Sequence, residues 1–406
     1  MAYVSFMGLP RFDWSLTLVG LCIFTFVVVT YKVRIGDIGI AIGVAGLCLQ
    51  RGGLKIPKFL WLYAAFVLWV FVGSFATPFT DIALEQAIER LKLVVVMLIA
   101  VNALRTEGQL RFYLLFFLGC FVLFPVRGTL VGGDTISGRA VWNYIYSNPN
   151  DLAALSLIAL GVAFALWFSE HSWRSFVSLG AAISAIPLLA VILLTQSRGA
   201  VIGLAVGMGP AMVLLLIKRR WLLVPAGLIV LVIGFVTPAN VWERLAGIEK
   251  LSSVETVAEA DPEGSAEQRL EIQKVAWRIF LDNPVFGMGL GAYPQANAMY
   301  APDLGKRDTH NTYLNLAAET GFPGLALWCA LFWSVLRHAG RSRRNAGAEA
   351  LATQQYWIER TLIAYLVAAV VGTYSALTFP YLVLTVLWCS ATILERTARA
   401  TQRGLE

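Results

Sequence analysis

Apolar residues in this chain run in long blocks, and polar residues gather in short segments between them. A helix that crosses a bilayer core needs about 20 predominantly apolar residues, and the pattern predicts about twelve such helices. Their centres fall in Trp14–Thr30, Ile35–Leu49, Phe59–Ala76, Leu91–Leu104, Phe112–Val126 and Leu152–Trp167. The others fall in Phe176–Leu194, Ala200–Ile217, Leu222–Val236, Tyr313–Leu336, Ile358–Leu377 and Tyr381–Leu394. Only helices close their own backbone hydrogen bonds within each span. The expected fold is therefore all-α and polytopic, one integral membrane unit over 1–406. A long external loop, 238–310, is expected between the ninth and tenth spans, with short amphipathic helices in it.

Composition agrees. Hydrophobic residues make up 58% of the 406 and charged residues 14%, against about 25% charged in soluble domains. The first apolar run leads into Tyr31-Lys32-Val33-Arg34 without a small-residue cleavage site, so it reads as a span and not as a signal peptide. Cys22, Cys48, Cys120, Cys329 and Cys389 all lie in apolar runs. No paired spacing suggests a disulfide or a metal site, and buried packing is expected of them.

Basic residues set the orientation. Clusters at Arg51–Lys58, Lys218–Arg220, Arg337–Arg344 and Arg396–Arg403 fall on one side of an even-numbered bundle, together with both termini. That side is expected to be the cytoplasm; Lys32 and Arg34 conflict with it. The net charge of +7 matches an anionic lipid surface and requires no nucleic acid.

Three polar pieces then share the external face: 127–150, the Gln196-Ser197-Arg198-Gly199 turn, and 238–309. Arg198 stands at the edge of two apolar spans, where a guanidinium needs a partner or a function. Its donor fork suits phosphate oxygens, although snorkelling to headgroups also accounts for it. Arg269 lies on an amphipathic stretch with Leu270, Ile272, Val275, Ala276 and Ile279. It reads equally as a ligand or as a solvated residue paired with Glu271 or Gln273. Arg127, Arg139 and Asn150 are weaker candidates on the earlier loop. Tyr293 either lines an acceptor groove or sits at the membrane interface. His310 begins the tenth span externally, beside Asp308 and Asn311, which could orient its ring. A neutral imidazole there can accept a proton. His171 and His338 fall in cytoplasmic connections and read as solvated. Glu319, nine residues after His310, reads as a buried hydrogen-bonding group. Asp261-Pro262-Glu263 is a solvated acidic patch, and the external loops show no metal cluster.

Four blocks in order carry a family resemblance: Ser147-Asn148-Pro149-Asn150-Asp151-Leu152-Ala153, Thr195-Gln196-Ser197-Arg198-Gly199-Ala200, the stretch Trp277–Gly291, and His310-Asn311-Thr312-Tyr313-Leu314 continuing to Glu319, Gly321 and Gly324. Together they resemble the O-antigen ligase and polymerase superfamily of bacterial membrane glycosyltransferases. The resemblance implies a glycan donor on undecaprenyl pyrophosphate and an acceptor hydroxyl on lipid A-core or a growing polysaccharide. It also implies an inner-membrane location with a periplasmic active site. Arg198 and Arg269 match the arginines that hold pyrophosphate, and His310 matches the histidine proposed to deprotonate the acceptor. No cofactor and no metal are implied. Ligase and polymerase both remain open. A flippase would be expected to show internal repeats and charges at mid-depth. A scaffold gives no reason for Arg198 and His310 to share a face.

Overall fold

The computed structural model describes residues 13–30, 35–50, 52–170, 172, 175–224, 227, 265–345 and 350–403. Lys32, Arg34, Arg51, His171, Asp261–Glu263 and nearly all of the expected ninth span lie outside these residues, as does the loop over 238–264.

The first helices in order are α1 (Leu16–Thr30), α2 (Gly36–Leu49), α3 (Lys58–Gly73), α4 (Thr80–Ala103) and α5 (Glu107–Phe121), which continues through a wider turn at 122–126 into α6 (Arg127–Gly132). Next come α7 (Pro149–Ser169), α8 (Phe176–Leu194), α9 (Arg198–Gly203) and α10 (Gly209–Lys218). The segment ahead of the next long helix contributes α11 (Ser265–Asp282) and α12 (Tyr293–Tyr300). The chain then runs through α13 (Thr312–Asn345), α14 (Ala350–Ala368) and α15 (Phe379–Arg403). A two-residue hairpin pairs β1 (Thr135–Ile136) with β2 (Arg139–Ala140). The protein is an all-α polytopic membrane protein.

Among the described residues, six helical stretches are long and apolar enough to cross a membrane: 58–76, 107–132, 149–169, 176–194, 198–218 and 312–344. α1 and α2 are apolar but shorter. The apolar run expected over 91–104 is only the C-terminal part of α4, whose first thirteen residues carry Asp81, Glu85, Glu89, Arg90 and Lys92. The expected eleventh span overran its helix: α14 stops at Ala368, and 369–378 is a non-helical connection. α13 runs past Leu336 to Asn345, so His338 is on a helix and not in a loop. Its Nδ1 lies 3.6 Å from Glu395, and its ring stacks on Trp388.

Packing explains the composition of each helix. α7 is the central column, with 89% of its apolar window buried in protein, and its N-terminus is capped by the Asn148 side chain. Without a hydrophobic drive between helices in lipid, close approach of small residues holds helices together. α2 shows this. A Cβ on Gly43 would meet Ile99, and one on Gly20 of α1 would meet the Gly43 backbone at 2.4 Å. The glycines that weaken α2 as a sequence signal are thus its packing face. Of the cysteines, Cys22, Cys120 and Cys389 are buried as expected; Cys48 and Cys329 are exposed on the bundle surface.

α13 is broken at Gly321, whose φ of 68° and ψ of −176° are non-helical. The break frees the carbonyls of Ala318 and Glu319, which accept the backbone N–H groups of Met288 and Gly289, each at 2.9 Å. Phe322 donates in return to Pro284 at 2.8 Å. The Pro284–Gly291 loop is therefore clasped into the helix break. The clasp is reinforced by the Thr77 hydroxyl on the Met288 carbonyl and by Trp69, which stacks on Phe286 and donates to the Thr320 carbonyl at 2.9 Å.

Candidate active site

The chain enters α13 through Asp308-Thr309-His310-Asn311. Asn311 caps the helix: its side-chain oxygen accepts the N–H groups of Tyr313 and Leu314, each at 3.0 Å. The two threonines around His310 fasten the turn to the 369–378 connection. The hydroxyl of Thr309 lies 3.0 Å from that of Thr373. Thr312 donates from its backbone to Ala369 and from its hydroxyl to Gly372, and its hydroxyl accepts the N–H of Tyr374 at 2.8 Å. Held on both sides, His310 adopts a φ of 50°. A left-handed conformation in a non-glycine residue is costly and persists only where the surroundings impose it.

Two arginines act on this imidazole. Burial depresses its basicity, Arg269 depresses it further, Asp308 opposes them, and Arg139 adds to the lowering. His310 is therefore a neutral imidazole at neutral pH, with cationic neighbours that disfavour its protonation. Arg269 comes from α11. The apolar positions Ile272, Ala276 and Ile279 of that helix are buried against Met288, Tyr293, Ala296 and Ala318. The amphipathic stretch thus packs on its own loop, while Trp277 and Leu281 remain exposed.

Arg139 joins three segments of the chain. Its Nε donates to the Thr195 carbonyl at 2.8 Å, and one Nη donates to Asn150 Oδ1 at 2.7 Å. Gln196, also left-handed at φ 51°, donates to the Gly138 carbonyl at 3.1 Å. The β1–β2 hairpin, the start of α7 and the turn ahead of Arg198 are thereby one unit. Arg198 opens α9 from that turn. Ser197 faces the hydroxyl of Tyr374, which also feels the charges of Asp151, Arg139 and Arg269. Tyr374 is thus reached by Ser197 and by the charges of Asp151, Arg139 and Arg269, and its backbone is bonded to Thr312, two residues after His310.

Two sequence candidates are placed apart from these interactions. Arg127 is exposed on α6, and none of the interactions just described involves it. Tyr293 is buried: its hydroxyl is 2.9 Å from the Ile272 carbonyl and 3.1 Å from Asn297 Oδ1, so it holds α11 to α12. Glu319 does form a buried hydrogen bond. Its carboxylate accepts the N–H of Tyr293 at 3.1 Å, joining loop to helix.

Sequence reasoning missed Thr373, Tyr374 and Asp151. The only signal for the first two was the polar word Gly372-Thr373-Tyr374-Ser375 inside what reads as one apolar span. Among the described residues, no three His, Cys, Asp or Glu side chains converge as a metal site would require.

No curated protein matches the chain. Its fold is similar to a solved structure from work on the structural coordination of polymerization and crosslinking by a peptidoglycan synthase complex. That likeness has a TM-score of 0.44 and 18% identity, and covers 84% of this chain and 96% of the other; so distant a likeness carries no argument here. Residues 182–329 match the family model described as O-antigen ligase. The match leaves out the Ser147–Ala153 block and takes in the other three, with Arg198, Arg269 and His310. The match supports the likeness to the O-antigen ligase/polymerase superfamily over this part of the chain.

Proposed function

We propose that this protein is a membrane glycosyltransferase that moves a glycan from an undecaprenyl-pyrophosphate carrier to a hydroxyl of an acceptor glycan, lipid A-core or similar. The observation that carries the reading is the neutral His310 imidazole set among arginines from separate segments, in a family of this chemistry. A sugar diphosphate already has a good leaving group. What the reaction lacks is stabilisation of the departing charge and a base for the acceptor hydroxyl.

In this scheme Arg198 and Arg269 hold the diphosphate, with Arg139 beside them. His310 takes the proton of the acceptor hydroxyl as its oxygen bonds to the anomeric carbon. The carbon–oxygen bond to phosphate breaks, undecaprenyl pyrophosphate leaves with the electron pair, and the imidazolium returns its proton to solvent. Direct displacement inverts the anomeric centre and needs neither metal nor cofactor. The chain would cross the bacterial inner membrane about twelve times, both termini in the cytoplasm and the cluster at the periplasmic face. The basic clusters at Lys218–Arg220 and Arg396–Arg403 support that orientation.

A polymerase using the same donor is the second reading. It is favoured by the part that the 127–150 loop takes in the site through Arg139. The deciding experiment is His310→Ala with purified donor and acceptor. General-base catalysis contributes about 10² to 10⁴ in rate, and a loss of that size is expected. Wild-type transfer by this variant would remove His310 from the mechanism. Deleting the gene separates the readings: a ligase loss leaves core without polymer, and a polymerase loss leaves short glycans on core.

A further inference from the structure

A shallow cleft opens where α4 and α15 end, lined by Lys55, Arg105 and Arg396 together with Leu104, Trp388 and Thr392. Its three charged groups are all cations, and no carboxylate is among its described lining residues. The nearest acid along α15, Glu395, lies instead 3.6 Å from His338 and 3.8 Å from Arg399. Among the described residues, Lys55, Arg105 and Arg396 take part in no ion pair.

A buried amide builds this cluster. The Asn102 side chain exchanges two hydrogen bonds with the Lys55 backbone, Lys55 N–H to Oδ1 and Nδ2 to the Lys55 carbonyl, each at 3.0 Å. The same Oδ1 accepts one Nη of Arg105 at 2.7 Å, and that Nη also donates to Gln50 Oε1 at 2.7 Å. The Nε of Arg105 is buried with no hydrogen-bond partner among the described residues. Burial lowers the basicity of the Lys55 amine, and Arg396 and then Arg105 lower it further. Neutral amides satisfy donors of Arg105 and leave its charge uncompensated. Like charges held together disfavour one another until an anion joins them. A phosphate group brings that charge with several acceptor oxygens, which a guanidinium fork and an ammonium both suit. The cleft holds about 10 Å³, room for about one water-sized atom. One phosphate oxygen fits inside it, and the others face the cations at its mouth.

We propose that this cleft is a binding site for an anionic phosphate group, free or on a lipid headgroup, with Lys55, Arg105 and Arg396 as its ligands. The site is separate from the cluster around His310 and does not depend on the transfer reading. α4 starts beside the clasped loop, where a Cβ on Gly289 would meet Ala83 and one on Gly291 would meet Gln86. It then runs 24 residues to Ala103, about 36 Å. α15 starts at the 369–378 connection that holds the His310 turn, and Arg396 follows Phe379 by seventeen residues, about 25 Å. The cleft is thus at the far end of both helices.

The test follows the melting temperature of the full chain in a neutral detergent at constant ionic strength. One arm titrates inorganic phosphate against acetate. The other titrates dihexanoyl phosphatidic acid against dihexanoyl phosphatidylcholine, whose headgroup carries no net charge. A phosphate ligand at a hundred times its Kd should raise the melting temperature by about 2–4 °C. A rise in either arm supports the proposal, and the ligand with the lower Kd identifies the source. Lys55→Gln with Arg396→Gln should raise that Kd about tenfold or more, and Lys55→Gln alone about threefold. Lys55 is half-buried and Arg396 exposed, so neither change should lower the melting temperature without ligand. Arg198→Gln, in the cluster near His310, should leave the Kd unchanged. No rise in either arm, an equal rise with acetate and phosphatidylcholine, or an unchanged Kd in the Lys55 and Arg396 variants would each overturn the proposal. So would loss of the rise in Arg198→Gln. The measurement needs no turnover, so its result is independent of the His310→Ala test.

Discussion

The hydroxyls of Thr309 and Thr373 lie 3.0 Å apart, which ties the residue before His310 to the connection between the last two helices. The same Thr309 hydroxyl donates to the Asn311 carbonyl at 3.1 Å, so it also spans His310 itself. Thr309→Val keeps the shape and removes these bonds from a fully buried position. We expect a stability loss of about 1–3 kcal/mol from partners left unpaired. A fall in kcat should accompany it, because the left-handed turn at His310 can then relax. Unfolding in detergent and steady-state transfer check both. Full activity at unchanged stability would show that this link does not position the imidazole.

The pH profile of transfer should report the imidazole. Its basicity is held below the ordinary 6.5 by burial, Arg269 and Arg139, against Asp308. Activity should be flat near neutral pH and fall on an acid limb below 6.5. Arg269→Gln removes a cation and should move that limb to higher pH; Asp308→Asn removes an anion and should move it to lower pH. Linkage has the matching sign: the stability due to neutral His310 is present above 6.5 and is lost as pH falls through the lower, folded value. A limb that ignores both substitutions would assign it to another group.

Arg139→Lys separates charge from geometry. The guanidinium reaches the Thr195 carbonyl and Asn150 together, and an ammonium lacks that planar fork. We expect a loss of about 1–2 kcal/mol in stability and a fall in turnover of about tenfold or more. The melting temperature and kcat measure them, and a wild-type Lys variant would show that only a point charge is needed.

Gly321→Ala should be among the most damaging small changes. A Cβ there would stand 2.1 Å from the Val285 carbonyl oxygen, and the φ of 68° disfavours any side chain. We expect a loss above about 2 kcal/mol, seen as poor yield and a lowered melting temperature. Gly287→Ala, whose Cβ would meet the Glu319 backbone, should behave alike. Normal stability of both would mean the clasp yields freely.

Much of the site was legible because its residues violate their surroundings. A histidine at the start of a span and an arginine in a turn between two apolar helices stand out where charge is costly. Arg139 was underrated because a hairpin arginine looks solvated until its carbonyl partner, 56 residues away, is known. Arg127 and Tyr293 drew the same interest, yet one stays exposed and the other is spent on packing.

The sequence by itself determined that the chain is a bundle of membrane helices, because hydropathy is a local property and the bilayer demands apolar length from each segment separately. It also determined which ionisable groups stand out against lipid. Tertiary structure alone decided that a glycine-rich loop locks into a broken helix, that Thr373 and Tyr374 hold the turn carrying His310, and that Arg90 of α4 is bonded to Ala376. Those relations join residues from 30 to 286 positions apart. Hydrogen bonds and charges of that kind depend on distance in space, which no local pattern along the chain records.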